Sequence, residues 1–151
     1  MLIEPLSFES DSEDIFNFTE RLFKEIIHPD HVIDETTRQK ILNDYRDGSC
    51  GTWSFCVKKN SKIVALFNLT ESFAIFAKGN YVIINELFVV ESERGKGIGT
   101  EIIHFIEGFS AKKNWQRIDV SSPSHERFDS TFNFYKRHGF NLSGKKLRKW
   151  I

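Results

Sequence analysis

Arg94-Gly95-Lys96-Gly97-Ile98-Gly99 lies between a β-branched and aromatic run, Tyr81–Val90, and a run with helical apolar spacing, Ile98–Phe109. A glycine-rich turn from a strand into a helix presents consecutive backbone N–H groups. Added to the positive end of the helix dipole, these donors suit a pyrophosphate. The stretch therefore predicts a phosphorylated cofactor. It also fixes the architecture around it, with a strand leading in and a helix leading out.

Working outward, the apolar spacing divides the rest of the chain. Leu2–Phe8 alternates loosely as a first strand. Ser10 and Glu13 have the spacing of a capping box before Ile15, Phe18, Leu22 and Ile26, which predicts a helix to about Ile27, stopped by Pro29. A second helix is predicted over Glu35–Tyr45, with Ile41, Leu42 and Tyr45 on its apolar side and Gly48 and Gly51 at its exit. Trp53, Phe55 and Val57 alternate with smaller or polar residues, and Ile63–Leu69 follows the Asn60-Ser61 turn, so the two runs make a hairpin. Ser72–Phe76 fits neither pattern cleanly. Tyr81–Val90 reads as a central strand covered on both faces.

Past the loop, Ile98, Ile102, Ile103, Ile106 and Phe109 line one side of a helix that ends near Lys112. Arg117–Ser121 is a short strand, and Phe128, Phe132 and Tyr135 mark a last helix closed by Gly139. Phe140–Leu142 and Leu147–Ile151 read as a closing pair of strands. The expected order is β-α-α-β-β-β-α-β-α-β-β, an α/β (α+β) fold with a mixed, mostly antiparallel sheet flanked by helices.

Composition narrows the function. A length of 151 residues predicts one domain spanning 1–151. The formal net charge of zero lacks the basic footprint of a nucleic-acid-binding protein. The clusters Lys112-Lys113 and Lys145–Lys149 read as solvated surface. No stretch approaches a membrane span and no signal peptide is visible, so a cytoplasmic protein without nucleic-acid or membrane partners is expected. Cys50 and Cys56 make no disulfide framework, and no metal-ligand spacing involves them or the five histidines. Cys56 lies in an alternating strand and reads as a small core residue rather than an acylated nucleophile. His104, His125 and His138 read as surface or helix-end groups.

Three kinds of phosphate loop compete for the glycine stretch. A P-loop needs Lys followed by Ser or Thr after its last glycine, whereas Lys96 is followed by Gly97. A dinucleotide fingerprint needs glycine where Thr100 stands, and it opens the fold rather than following several strands. Arg94, Gly97 and Gly99 instead match Arg/Gln-x-x-Gly-x-Gly/Ala. This pattern resembles the pyrophosphate loop of the GCN5-related N-acetyltransferase (GNAT) superfamily. Asn85-Glu86-Leu87-Phe88-Val89 stands where that family has its fourth strand. Phe134-Tyr135-Lys136-Arg137-His138-Gly139-Phe140 is similar to its second signature, Phe-Tyr-x-x-x-Gly-Phe. A weaker likeness, through Phe67–Phe73 and Asn85–Val89, points to the diamine (spermidine/spermine) branch, although only one acid of that branch's pair is present, in Glu86. Phe128 stands where many members carry an Asn that contacts the cofactor.

The resemblance implies acetyl-CoA as co-substrate, with no metal. The amides of Gly95, Lys96, Gly97, Ile98, Gly99 and Thr100 would grip the pyrophosphate, while Arg94 either adds a charged contact or braces the loop. The backbone of Leu87, Phe88 and Val89 would meet the pantetheine beside a splayed strand edge, with Phe134 also lining the cofactor site. Tyr135 is the candidate general acid, since a phenol is protonated at neutral pH and can hand its proton to a leaving thiolate. Glu86 is the candidate general base, desolvation raising its basicity, with a water relay to a more distant acid as the alternative. Glu71 is a lesser candidate for holding a cationic substrate. The implied function is direct acetyl transfer to a primary amine of a small molecule: a polyamine, amino acid or amine antibiotic. The alternatives are a protein lysine or N-terminal acetyltransferase and a non-catalytic acyl-CoA-binding module. An aromatic-rich surface near the closing strands is compatible with a homodimer.

Overall fold

The computed structural model describes residues 1–48, 51–123, 128–144 and 146–151. Cys50, His125 and Lys145 lie outside the described residues. The chain separates into two compact units, Met1–Asp119 and Val120–Ile151.

The first unit opens with strand β1 (Leu2–Leu6) and helices α1 (Ser12–Ile26) and α2 (Glu35–Gly48). Strands β2 (Thr52–Lys59), β3 (Lys62–Ala74) and β4 (Gly79–Val89) follow, then helix α3 (Ile98–Lys112). Strand β5 (Ile118–Val120) crosses the boundary between the units, and helix α4 (Asp129–Arg137) belongs to the second. The strands form one mixed sheet in the order β1-β2-β3-β4-β5. The pairs β1/β2, β2/β3 and β3/β4 are antiparallel.

Local chemistry explains most element ends. Asn60 and Ser61 both take positive φ (51° and 62°), the two-residue turn whose twist suits a tight hairpin. The expected capping box does not form. The helix starts at Ser12 with Asp11 as its N-cap, so Ser10 and Glu13 straddle the start in the wrong register. The Asp11 carboxylate instead accepts the Ser7 N–H at 2.8 Å and the Ser10 hydroxyl at 3.0 Å. The ambiguous Ser72–Phe76 stretch divides: β3 continues to Ala74, and Ile75–Ala77 forms a single 3₁₀ turn.

Alternation along β2 and β3 sorts the core to two faces of the sheet. On one face, Ile15 and Phe18 of α1 pack on Leu66 and Phe88. On the other, Phe55 and Phe67 meet Phe105 of α3 at ring separations of 4.9 and 5.9 Å, and Trp53 meets Phe109 and Trp115. Phe55, Phe67, Phe105 and Phe109 thus form one interlocked aromatic layer with Trp53 and Trp115, whose edge-to-face contacts add to area burial. Cys56 sits buried in β2 with a free thiol, which burial pushes above its ordinary pKa; it is core, as its alternation predicts.

The second unit ends differently from expectation. Phe140–Leu142 and Leu147–Ile151 are not strands. Every described residue from Asn141 to Ile151 is exposed, with Leu147 at 92% and Trp150 at 84%. A strand needs partners for its N–H and C=O groups and something for its apolar side to cover. Here the Asn141 side-chain amide folds back onto the Gly139 carbonyl, and Gly144 takes a φ of 146°.

Candidate active site

The glycine loop forms as its composition dictates. The chain leaves β4, makes a 3₁₀ turn at Glu91–Glu93 and enters α3 at Ile98. Gly95 and Gly97 take left-handed φ of 72° and 86°, which an L side chain adopts only at a cost. Gly97 is the α3 N-cap, and the first bond into the helix runs from the Glu101 N–H to the Gly97 carbonyl at 3.1 Å. N–H groups of a first turn have no carbonyl inside their own helix to bond. A Cβ at Gly95 or Gly97 would meet no atom within 4 Å, so the space above the loop is open. Ile98, by contrast, is buried and anchors the turn to the core. An open, donor-rich helix start of this kind fits the pyrophosphate of an acyl-CoA.

The two cations of the loop are exposed and pair with acids. Arg94 donates through Nε to the Val89 carbonyl at 2.9 Å and pairs with Glu25 of α1 at 2.6 Å, its guanidinium 5.4 Å from the Phe88 ring centre. These contacts tie the turn to β4 and to α1. Lys96 pairs with Glu93 at 3.2 Å, and Glu93 also holds Lys59; these two lysines keep the Glu93 carboxyl below its ordinary range. The loop therefore offers backbone donors first and side-chain charge second.

The strand before the loop carries an irregularity that its sequence did not announce. Asn68 pairs with Glu86 and Leu69 pairs with Ile84, so Asn85 is an extra residue bulged out of β4. Its side-chain amide donates to the Thr70 hydroxyl at 2.6 Å. The bulge inverts the alternation. Ile84 falls opposite Leu69 on the α3 side, whereas Glu86 and Phe88 fall opposite Asn68 and Leu66 on the α1 side. Leu87 and Val89 are half-buried and Phe88 is buried against α1, so any contact from Phe88 to a cofactor is through its backbone. Strand β5, with three residues against eleven in β4, can flank only part of β4; the Val82 N–H reaches the Arg117 carbonyl near the opposite end from the loop.

Glu86 sits half-buried on that face, and burial pushes its carboxyl above the ordinary range, opposed by a hydrogen bond from the Asn68 amide at 3.1 Å. Asn68 in turn accepts the Ser54 hydroxyl at 2.7 Å. Neither Asn68 nor Ser54 stood out from the sequence, although a polar residue at a core-facing position between Leu66 and Phe88 was the available signal. Glu71 is otherwise engaged: it accepts the Trp115 indole N–H at 2.6 Å and the Asn80 amide at 3.2 Å. That occupation makes it a pin for the β3–β4 end of the sheet rather than a binder of cationic substrate.

Tyr135 belongs to the second unit, where the second signature proves to be a helix cap. Gly139 takes a φ of 83°, its N–H bonds the Lys136 carbonyl and the Phe140 N–H bonds the Tyr135 carbonyl, both at 3.1 Å. That is a Schellman motif, completed by the contact of the Tyr135 and Phe140 rings at 5.3 Å. Phe134 stacks obliquely on His138, whose Nδ1 lies 2.8 Å from the Phe134 carbonyl. The cap explains the spacing of Tyr, Gly and Phe and fixes the orientation of the Tyr135 ring. Tyr135 is buried, and burial raises its phenol to about 12. Among the described residues no group of His, Cys, Asp and Glu side chains is arranged to hold a metal ion, and no helix is long and apolar enough to cross a membrane.

Comparison with known proteins agrees with this geometry. No curated protein sequence matches the chain. Three similar solved structures each superpose over nearly the whole chain. A transcriptional regulator from Bacillus halodurans is 14% identical, covering 99% of both chains, with a TM-score of 0.78. A predicted acetyltransferase with acetyl-CoA from Clostridium acetobutylicum is 16% identical, covering 98% of this chain and 94% of its own, with a TM-score of 0.75. An aminoglycoside acetyltransferase from an uncultured soil metagenomic sample, in complex with trehalose, is 19% identical, covering 99% and 94%, with a TM-score of 0.71. At these identities the likeness is one of fold. The family description "Acetyltransferase (GNAT) domain" matches residues 50–142, from the central hairpin through the glycine loop to the Phe-Tyr signature. The chain belongs to the GNAT acetyltransferase family.

Proposed function

We propose that this protein is an acetyl-CoA-dependent N-acetyltransferase that acetylates a primary amine of a small molecule by direct transfer. The observation that carries this reading is the open left-handed turn at Gly95 and Gly97, set at the start of α3 directly after the bulged strand that bears Glu86. Acetyl-CoA, when bound, supplies the activated thioester. The amides of Gly95–Thr100 hold the pyrophosphate without desolvating a side-chain charge. Backbone groups at Leu87–Val89 align the pantetheine and give the acyl oxygen an N–H donor as charge develops on it.

An amine enters mostly as ammonium and must lose a proton before it can attack. Glu86, made more basic by burial, takes that proton. Tyr135 stays a phenol at every physiological pH and offers its O–H to the departing thiolate. The chain acts as a single catalytic domain in the cytoplasm. Aminoglycoside acetyltransferases share this fold, so an amine antibiotic belongs in the substrate panel beside polyamines and amino acids.

The test is thiol release from acetyl-CoA by the purified protein across that panel, with a no-amine blank. Amine-dependent release is expected. No release with any small amine, while CoA still raises the melting temperature, transfers the reading to a protein acceptor or a binding module. Absence of both refutes the assignment of the glycine loop.

A further inference from the structure

We propose that Asn68 is a positioning residue for Glu86 and that Ser54 fixes the direction of the Asn68 amide, so that a relay across three strands aims the carboxylate and keeps it charged. The inference deepens the proposed function and rests on Glu86 being the proton acceptor.

The relay is built on register. Ser54 lies directly opposite Asn68 in the β2/β3 ladder, and Asn68 lies directly opposite Glu86 in the β3/β4 ladder. The Asn85 bulge is what brings Glu86 to this face, since without it the strand would present Glu86 in the same alternation as Ile84 and away from Asn68. Ser54 is 2% exposed and Asn68 6%, among Cys56, Leu66 and Phe88. Burying two polar side chains there is unfavourable unless they are paired, and an aliphatic pair would serve packing better.

The bonds run in one direction. The Ser54 hydroxyl donates to the Asn68 Oδ1 at 2.7 Å, which commits the Asn68 carbonyl. Only the Asn68 amide N–H can then face Glu86, and it does so at 3.1 Å from Oε2. A donor held against a carboxyl oxygen favours the carboxylate over the acid. Burial acts the other way. The amide holds Oε2, which leaves Oε1 to form the new O–H bond as an ammonium N–H bond breaks.

Other charges near this face are already engaged. On α1, Glu13 and Glu20 bind Arg38, Glu25 binds Arg94, and Arg21 lies 4.9 Å over the Phe88 ring. Glu71 of β3 shares the alternation of Phe67 and Leu69 on the opposite face and bonds the Trp115 indole there; on β5, Asp119 bonds Arg117. Among the described residues Glu86 has no ion-pair partner, which leaves Asn68 as the group that stabilises its charge.

The test compares wild type with N68L, S54A and E86Q by two readouts: the pH profile of kcat/KM for the amine, and the NMR titration of the Glu86 carboxyl carbon. In N68L the acid limb and the Glu86 titration should both move up by about one pH unit, the scale of one lost hydrogen bond to a charged group. S54A, a smaller perturbation that keeps the protein folded should N68L not fold, should move both in the same direction by less. KM for acetyl-CoA should not move. Coincident profiles and titrations in wild type, N68L and S54A overturn the relay while E86Q, if inactive, leaves Glu86 standing as base. Full activity in E86Q refutes the base assignment instead, and the carboxyl titration still decides the relay.

Discussion

Tyr135→Phe separates chemistry from packing in one substitution. The ring is buried and its hydroxyl has no hydrogen-bond partner among the described residues, so at neutral pH the change should alter stability by no more than about 0.5 kcal/mol. Activity should respond far more, because removing a general acid typically costs about 10²-fold or more. The alkaline range provides an independent reading. The folded phenol titrates at about 12 rather than the ordinary 10, so above pH 10 the unfolded chain loses its proton first. The folded state then binds more protons than the unfolded, and stability falls as pH rises. At pH 11 the penalty for wild type is about 1.4 kcal/mol, which the phenylalanine variant escapes. For a chain of this size that corresponds to about 4 °C in Tm. The assays are thiol release at saturating acetyl-CoA and melting curves at pH 7 and pH 11. Turnover equal to wild type would refute the role of Tyr135 in proton donation. An unchanged difference in Tm between the two proteins at pH 7 and pH 11 would refute the burial that sets its pKa.

Further outcomes follow from other parts of the molecule. Glu86→Gln should lower kcat/KM and remove the acid limb of its pH profile; because the folded carboxyl titrates above its unfolded value, its charged form costs stability as pH rises, so this variant should melt above wild type at neutral pH and match it in acid. Gly97→Ala places an L residue at a φ of 86° with open space around the new Cβ, so the cost is conformational, about 1–2 kcal/mol, and the Tm gain on adding CoA should shrink. Phe67→Ala empties a fully buried position in the aromatic layer and should cost about 3–5 kcal/mol in a denaturant titration, against little effect of Phe76→Ala on the exposed 3₁₀ turn.

The sequence by itself determined the elements and the loop. Glycines at 95 and 97 permit left-handed turns that other residues resist, and the apolar spacing of Ile98, Ile102, Ile103 and Ile106 can be satisfied only by a helix that buries them. Asn60-Ser61 likewise fixed its hairpin, and Cys56 its place in the core. These are local matters of dihedral freedom and periodicity, and they are written residue by residue. Tertiary structure alone decided which partners each residue met. No local pattern marks Asn85 as the extra residue of β4, because a bulge is a mismatch between two strands and belongs to neither. Yet that mismatch turns Glu86 onto the face of Asn68 and Ser54 and thereby makes its carboxyl a candidate base. The same limit explains the tail, where Leu142, Leu147 and Trp150 stay exposed and the described residues join no ladder. It also covers Arg94, whose ion pair with Glu25 of α1 no local pattern announces. Backbone preference is carried by the chain itself, whereas register and pairing arise only when distant segments meet.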